Sequence, residues 1–279
     1  MYKLLGYWFA LATLTVFLGL NPTAATAQTS DEEDNSHDGF MEASFAFAAF
    51  DSRFVDAPHH FGGVLNLRFN YQWKGFFIED KGLRGLGLPG MGYNFYSDPT
   101  WSFDMYISEV HTSIGVDDSD TINDEQNGLV GINPRKIDNR LGLRATHYID
   151  ETSALRVLIA PFSDLEHHDT HVALWYGKTW QYFNANFYTT FSAQYDSSKT
   201  LNYYYGVSNS EASDKFPVYQ AGSGITLGAE FGISYPLATD WVLESSIKFT
   251  RLPSSVYNSP LVDPKIESIA HISIVYVLF

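Results

Sequence analysis

Apolar and polar residues alternate along several long segments of this chain. From Leu65 to Trp73 every odd position is apolar or aromatic and every even position is polar, and similar alternation runs through 183–195 and 225–235. A strand with this period has one apolar and one polar face, whereas a helix would scatter the apolar groups around its axis. Strands of soluble proteins usually have about five or six residues, while about ten residues in a tilted strand cross a bilayer. The pattern therefore predicts membrane-spanning strands.

The whole chain predicts an all-β fold, a transmembrane antiparallel β-barrel of about twelve strands within a range of about ten to fourteen. An even number is typical of single-chain bacterial barrels. The glycine-rich stretch 82–92 leaves open whether the region 75–97 is a hairpin or an irregular loop. The strands are predicted at 41–50, 63–74, 75–82, 89–97, 101–111, 139–149, 153–162, 171–180, 183–195, 222–236, 240–251 and 268–279.

The predicted connections alternate in length. Short ones are expected at 74–75, 97–100, 150–152 and 236–239, and longer ones at 51–62, 112–138, 163–170, 196–221 and 252–267. Outer-membrane barrels have short periplasmic turns and longer external loops, so the short connections are predicted to face the periplasm.

Both ends of the chain favour export to the outer membrane of a Gram-negative cell. Residues 1–27 have a basic start, an apolar core and an Ala25-Thr26-Ala27 cleavage site, which predicts a cleaved signal peptide, with a transmembrane anchor as the alternative. Residues 28–40 are predicted to be an acidic flexible segment and 41–279 the barrel. The apolar run that ends at Phe279 is typical of a closing strand and predicts a terminal assembly signal.

Composition narrows the class further. The chain has no cysteine, which excludes disulfides and thiolate chemistry, and its net charge of −15 excludes a basic nucleic-acid footprint. It contains 6 Trp, 18 Tyr and 21 Phe but no apolar stretch of transmembrane length after the predicted signal. This combination favours a barrel, whose strands alternate lipid-facing and lumen-facing residues, over a soluble β-sandwich, which remains the alternative.

Two segments in the last third of the chain carry a family resemblance. One contains Tyr204, Tyr205, Gly206, Val207 and Ser208, followed by Glu211 and Ala212. The other contains Ser259 and Pro260, just before the last predicted strand. In this order the two segments resemble the MipA/OmpV family of outer-membrane proteins, most strongly from Leu201 to Phe279.

The resemblance implies an outer-membrane barrel, and it brings neither a catalytic residue nor a cofactor with it. The family's namesake is a scaffold that links a lytic transglycosylase to a bifunctional penicillin-binding protein in murein synthesis, and other members are linked to permeability or adhesion. The motif residues are therefore predicted as family-motif or interaction candidates. Tyr203, Tyr204 and Tyr205 are interpreted either as a partner-binding or sugar-stacking surface, or as part of an aromatic girdle at the start of a loop.

Candidate chemistry elsewhere is weak. Imidazoles at His167, His168 and His171 resemble a metal cluster, but adjacent side chains on an extended chain point in opposite directions, so a polar external loop is favoured. The acidic stretch 117–125 lacks the glycine and the terminal glutamate of an EF-hand, so a solvated loop is favoured, with low-affinity divalent binding as the alternative. Ser208, Ser210 and His271 are not tied together by any hydrolase motif. We therefore predict neither an enzyme nor a metal site.

The predicted strand registers direct Arg68, Glu230, Glu244 and Lys248 into the lumen, where charges either line a channel or form ion pairs. Inward Tyr188 and Gln194 favour a narrow or blocked lumen. Two functions follow. The first is a scaffold for murein machinery, with outer-membrane lipids, a murein transglycosylase and a penicillin-binding protein as partners and no nucleic acid. The alternative is a narrow channel for small, cationic solutes, since an acidic mouth concentrates cations.

Overall fold

The computed structural model describes residues 38–57, 59–80, 82, 90–112, 114, 129–165 and 169–279. These residues contain twelve strands and two short helices, α1 (Ser198–Tyr205) and α2 (Ser254–Tyr257). None of the helices in the described ranges is both long and apolar enough to span a membrane. The strands are β1 (Asp38–Phe50), β2 (His60–Trp73), β3 (Phe76–Asp80), β4 (Gly90–Ser97), β5 (Trp101–His111), β6 (Asp138–Asp150), β7 (Ser153–Ser163), β8 (His171–Tyr182), β9 (Ala185–Asp196), β10 (Gly224–Pro236), β11 (Trp241–Arg251) and β12 (Ile266–Val277).

The twelve strands form a closed barrel in which each strand pairs with its neighbours in sequence, and β1 pairs with β12 to complete the ring. All pairs are antiparallel, so the predicted fold class is confirmed. At the seam, the amide of Met41 donates to the carbonyl of Phe279 and the amide of Leu278 donates to the carbonyl of Met41. The terminal residue therefore extends the pairing of β12 with β1 and leaves less of the edge open.

The two faces of the barrel wall differ as the alternation predicts. In β2, Leu65 and Leu67 are 83% and 50% exposed, whereas the polar residues that follow them, Arg68 and Asn70, are buried. Large apolar side chains that remain outside on every strand give the barrel a lipid-facing surface, and polar ones fill the inner face.

One end of the barrel has short turns and the other has long loops, which are the periplasmic and external ends of such barrels. In the tightest turn, Lys74 and Gly75 both have positive φ (48° and 85°), a backbone twist that suits a two-residue hairpin. A second turn places Phe183 at φ 51°, so β9 begins at Ala185 instead of at the predicted residue 183.

Other boundaries also differ from the prediction. β3 ends at Asp80 and β4 begins at Gly90, which makes the region 75–97 a pair of hydrogen-bonded strands. β1 begins at Asp38, three residues before the predicted start of the barrel. The predicted signal peptide, most of the acidic segment, the stretch 117–125, and His167 and His168 lie outside the described residues.

Candidate functional site: the external cap and the barrel interior

Four external loops pack their apolar side chains into one buried cluster, which we call the cap. The loops follow β1, β5, β9 and β11, and the third and fourth contain α1 and α2. Burying apolar side chains of this size is favourable by about 1.5–3 kcal/mol each, so the loops hold one another in place. The buried members are Ile114, Leu129, Ile132, Leu201, Tyr204, Tyr205, Val207, Phe216, Ala221, Leu252, Val256, Leu261 and Val262.

The cap crosses the external mouth of the barrel. In the ring of twelve strands, the β5–β6 connection lies opposite the β11–β12 connection. Ile114 and Leu129 come from the first of these loops, and Leu252 and Leu261 come from the second, yet all four belong to the same cluster. Loops on opposite sides of the mouth therefore meet, and together they cross the external end of the lumen.

The motif tyrosines are inside this cap. Tyr204 is 1% exposed and donates its hydroxyl to the carbonyl of Lys136 at 2.7 Å. Tyr205 is also buried, and its hydroxyl accepts a hydrogen bond from Arg53. Burial raises the pKa of both phenols above its usual value. Both earlier interpretations of these tyrosines are wrong for 204 and 205, because a buried ring is available neither to an external partner nor to a lipid interface.

Gly206 ends α1 at a place where a side chain does not fit. Its amide donates to the carbonyl of Asn202, and a Cβ built on Gly206 would lie 2.3 Å from that carbonyl oxygen. Contacts under 3.0 Å between a Cβ and backbone require the backbone to shift. The glycine therefore allows the chain to leave the helix and continue directly to Val207, which is buried in the cap and bridges to Tyr219.

Glu211 is the polar centre of the cap. Its carboxylate accepts hydrogen bonds from the Ser208 amide (2.9 Å) and hydroxyl (2.7 Å), from the Asn133 amide (3.0 Å) and from the Arg135 guanidinium (2.8 Å). Burial raises the pKa of this carboxyl, but the hydrogen bonds from Ser208, Arg135 and Asn133 outweigh burial and lower the pKa to about 2. Glu211 thus ties the β9–β10 loop to the β5–β6 loop as a charged group.

A hydrogen bond joins the second motif segment to the first. The Ser259 hydroxyl donates to the carbonyl of Tyr205 at 2.7 Å and is buried. Pro260 is half-buried beside it, and Ala212 is exposed. The structure therefore brings together every buried motif residue from Tyr204 to Ser259 in one cap, although the two segments are some fifty residues apart.

Inside the barrel, Arg68 joins two carboxylates on other strands. Its guanidinium donates to Glu42 of β1 at 2.7 Å and to Glu244 of β11 at 3.0 Å, and all three side chains are buried. β2 and β11 are three positions apart in the ring, so the contact with Glu244 spans the intervening strands. A buried pair of this kind stays favourable only while both partners are present.

A second cluster lies on another part of the inner wall. Arg144 of β6 donates to Asp104 of β5 at 2.7 Å and to Glu79 of β3 at 2.8 Å, and the Tyr106 hydroxyl also donates to Glu79. The Arg144 guanidinium lies 4.2 Å from the Tyr106 ring centroid, a cation–π contact. These residues were not among the predicted lumen residues, although the alternation of apolar and polar positions along their strands places them on the inner face.

The remaining predicted lumen residues have smaller roles. Glu230 is buried and accepts a hydrogen bond from the Tyr188 hydroxyl at 2.7 Å. Lys248 lies opposite Glu230 in the β10–β11 register, with no ion pair to any residue that the structure describes. Ser208 is bonded to Glu211 in the cap, while His271 pairs with Ser246 on the inner wall, so the structure does not assemble them into a nucleophile–base pair.

Comparison with known proteins decides the family. Residues 57–278 match the family model described as MltA-interacting protein MipA. The chain belongs to the MipA family. The match includes all the motif residues of the cap, and it confirms the resemblance drawn from them.

Two relatives of the MipA-family chain are outer-membrane proteins of Vibrio. Outer membrane protein OmpV of Vibrio cholerae is 23% identical over 248 residues, which cover 86% of this chain and 88% of OmpV. Outer membrane protein Omp26La of Vibrio anguillarum is 36% identical over 69 residues, which cover 25% of this chain and 27% of that protein. Together with the closed barrel, these relatives place this MipA-family protein in the outer membrane.

Solved structures resemble this MipA-family barrel only loosely. OmpT of Vibrio cholerae has 10% identity and a TM-score of 0.41, over 86% of this chain and 97% of OmpT. An anion-selective porin from Comamonas acidovorans has 9% identity and a TM-score of 0.43, over 87% of this chain and 99% of the porin. Since both scores are below 0.5, the fold assignment rests on the strand pairing within this chain.

Proposed function

We propose that this protein is a structural scaffold of the outer membrane that serves the machinery of murein synthesis and does not act as an open pore. The observation that carries the proposal is the cap, in which loops from opposite sides of the mouth share one buried cluster. Loops that meet across the mouth obstruct the entry of external solutes, which favours a structural role over that of an open pore. The family description, MltA-interacting protein, supports a murein transglycosylase as the partner.

The periplasmic end is where such a partner would bind. Its turns are short, but this end of the barrel carries exposed apolar side chains, including Phe183 (84% exposed), Leu237 and Phe279. β1 starts at this end, so the acidic segment before Asp38 joins the barrel on the same side. Apolar anchors beside charged residues are the combination that protein interfaces use for affinity and orientation.

Site-specific cross-linking tests the proposal. A photo-cross-linking residue at Ala238, in the exposed periplasmic turn after β10, should capture a lytic transglycosylase of the MltA type that is added to the folded barrel. The matched control is the same residue at Asp214, which is exposed in an external loop. Cross-links at position 238 alone support the scaffold. Absence of a product from position 238 and from the other periplasmic turns, with the barrel folded, would overturn it.

A narrow cation channel is the second candidate. The inner carboxylates of Glu230 and Glu244 favour it, because negative charge along a passage attracts cations. The cap opposes it, and Arg68 already engages Glu244. Steady cation-selective conductance from the wild-type barrel in a planar bilayer would favour the channel over the scaffold.

A further inference from the structure

Three side chains with metal-binding atoms meet at the external end of the barrel. Nε2 of His111 lies 3.1 Å from Oδ1 of Asp196, and Nδ1 of His171 lies 2.9 Å from the same oxygen. One ligand atom from each residue lies within 4.8 Å of the others. We propose that His111, His171 and Asp196 form a binding site for a divalent transition-metal ion of the Zn²⁺ type.

A β-bulge in β5 brings His111 to the external ends of β8 and β9, which carry the other two residues. Met105 and Ile107 of β5 are exposed on the lipid face, so an unbroken strand would direct His111 outward as well. The β5–β6 register shifts between Glu109 and His111, and this bulge turns His111 inward. His171 is the first residue of β8 and Asp196 the last of β9, so both reach the same level at the external end.

The spacing and chemistry of the three groups suit a small, borderline-soft cation. Zn²⁺ binds imidazole nitrogen and carboxylate oxygen at about 2.0–2.2 Å, which puts tetrahedral ligand atoms about 3.3 Å apart. The two nitrogen–oxygen separations here are close to that value before any adjustment. Two imidazoles disfavour Ca²⁺ and Mg²⁺, which take oxygen ligands. Three protein ligands leave one position for water or another donor.

Neighbouring groups hold the ligands in place. The His111 ring stacks on Tyr204 with 4.6 Å between centroids. Ser197, next to Asp196, donates its hydroxyl to Asp169 at 2.6 Å, and Arg140 donates to the carbonyl of Asp169. Asp169 lies two residues before His171 and Ser197 directly follows Asp196, so these contacts tie together the segments that carry two of the three ligands. Supports of this kind orient metal ligands and commonly decide affinity.

The site would connect the barrel to the cap. Tyr204 stacks on His111 and is itself a buried member of the cap, and Ser197 caps the start of α1 by accepting from the Thr200 amide. A bound ion would therefore fix the ends of β5, β8 and β9 beneath α1. The other interpretation is a hydrogen-bonded His–Asp–His group that binds no ion, and the experiment below separates the two.

The test uses the full refolded barrel, freed of metal with a chelator and then titrated with Zn²⁺ in a calorimeter. We expect one equivalent to bind. His111→Gln and His171→Gln should each weaken binding more than about 100-fold, since even changes behind a ligand cost about 10–100-fold. With Co²⁺ as the probe, visible absorption should report imidazole ligation in the wild type and change in each variant.

Two controls make the outcome decisive. His147→Gln, at the periplasmic end beside Trp101, should leave binding unchanged. His167→Ala with His168→Ala should also leave it unchanged, because these imidazoles are not among the proposed ligands. Far-UV circular dichroism shows whether each variant retains the barrel. The proposal is overturned if the folded wild type binds no Zn²⁺, or if the His167/His168 variant loses binding while His111→Gln and His171→Gln keep it.

Discussion

The cap and the barrel interior bury charges in different surroundings. In the cap, where four loops share one apolar cluster, the Glu211 carboxylate accepts four hydrogen bonds. In the interior, Arg68 and Arg144 each bridge two carboxylates from other strands. The cap should therefore open locally when its packing is cut, whereas the loss of an interior arginine should weaken the whole barrel.

The largest effect is expected inside the barrel. Arg68→Ala leaves Glu42 and Glu244 buried without their shared cation, which should cost about 3–5 kcal/mol of unfolding free energy. Urea unfolding in detergent micelles measures it. The matched control is Lys248→Ala. It removes a β11 cation that has no ion pair to a described residue, and it should lower the unfolding free energy by less than about 1 kcal/mol. Equal losses of unfolding free energy in the two variants would show that the ion pairs of Arg68 stabilise the barrel no more than Lys248 does.

A slightly smaller effect is expected in the cap, and it should be local. Tyr204→Ala removes a fully buried ring and should favour cap opening by about 3 kcal/mol, while the barrel strands stay protected. Trypsin cleavage after the exposed loop residue Lys215 should accelerate accordingly. Tyr182→Ala, at an exposed periplasmic position, should leave cleavage unchanged. Global unfolding of the Tyr204→Ala barrel at the same urea concentration as its cap would contradict the separation of the two regions.

The polar centre of the cap is expected to contribute less than its packing. Glu211→Gln keeps the shape but loses the charge that Arg135 pairs with, which should cost the cap about 1.5–3 kcal/mol. The same tryptic assay measures this. Asp214→Asn, an exposed acidic change in the same loop, is the control and should have no effect. A null result for Glu211→Gln would mean that apolar packing alone holds the cap.

The pH dependence should be the smallest effect. Since the pKa of Glu211 in the folded cap is about 2, below its usual 4.5, the carboxylate stabilises the cap above pH 4.5 and loses that effect as the pH falls towards 2. The chain has no cysteine, so a single dye attached through Lys215→Cys reports cap opening. Glu211→Gln should reduce the pH dependence of cap opening between pH 4.5 and pH 2. If wild type and Glu211→Gln show pH-dependent cap opening of the same size, then other carboxylates cause it.

The strands were predictable from the sequence because their alternation is local. Leu65 to Trp73 shows its two faces without reference to any other segment, and the same parity gives the inner position of Arg68. The cap was not predictable, since it depends on pairs far apart in the chain. Arg135 and Glu211 are separated by 76 residues, and neither lies in a periodic segment.

The convergence of His111 on Asp196 also escaped sequence reasoning. By strand alternation alone, His111 would face the lipid. The bulge after Glu109 turns its side chain to the inner face. The family resemblance identified Tyr204, Gly206 and Glu211 as important positions, yet it could not tell that they build the cap. Their shared role depends on tertiary packing, because the two motif segments meet in one cluster.

Ion conductance across a planar bilayer tests the central claim most directly, with wild type and Tyr204→Ala measured side by side. If the cap covers the external mouth, the wild-type barrel should be silent and the variant should show discrete conductance steps. Steady steps from the folded wild-type barrel, equal to those of the variant, would contradict a closed external mouth and the scaffold function proposed from it.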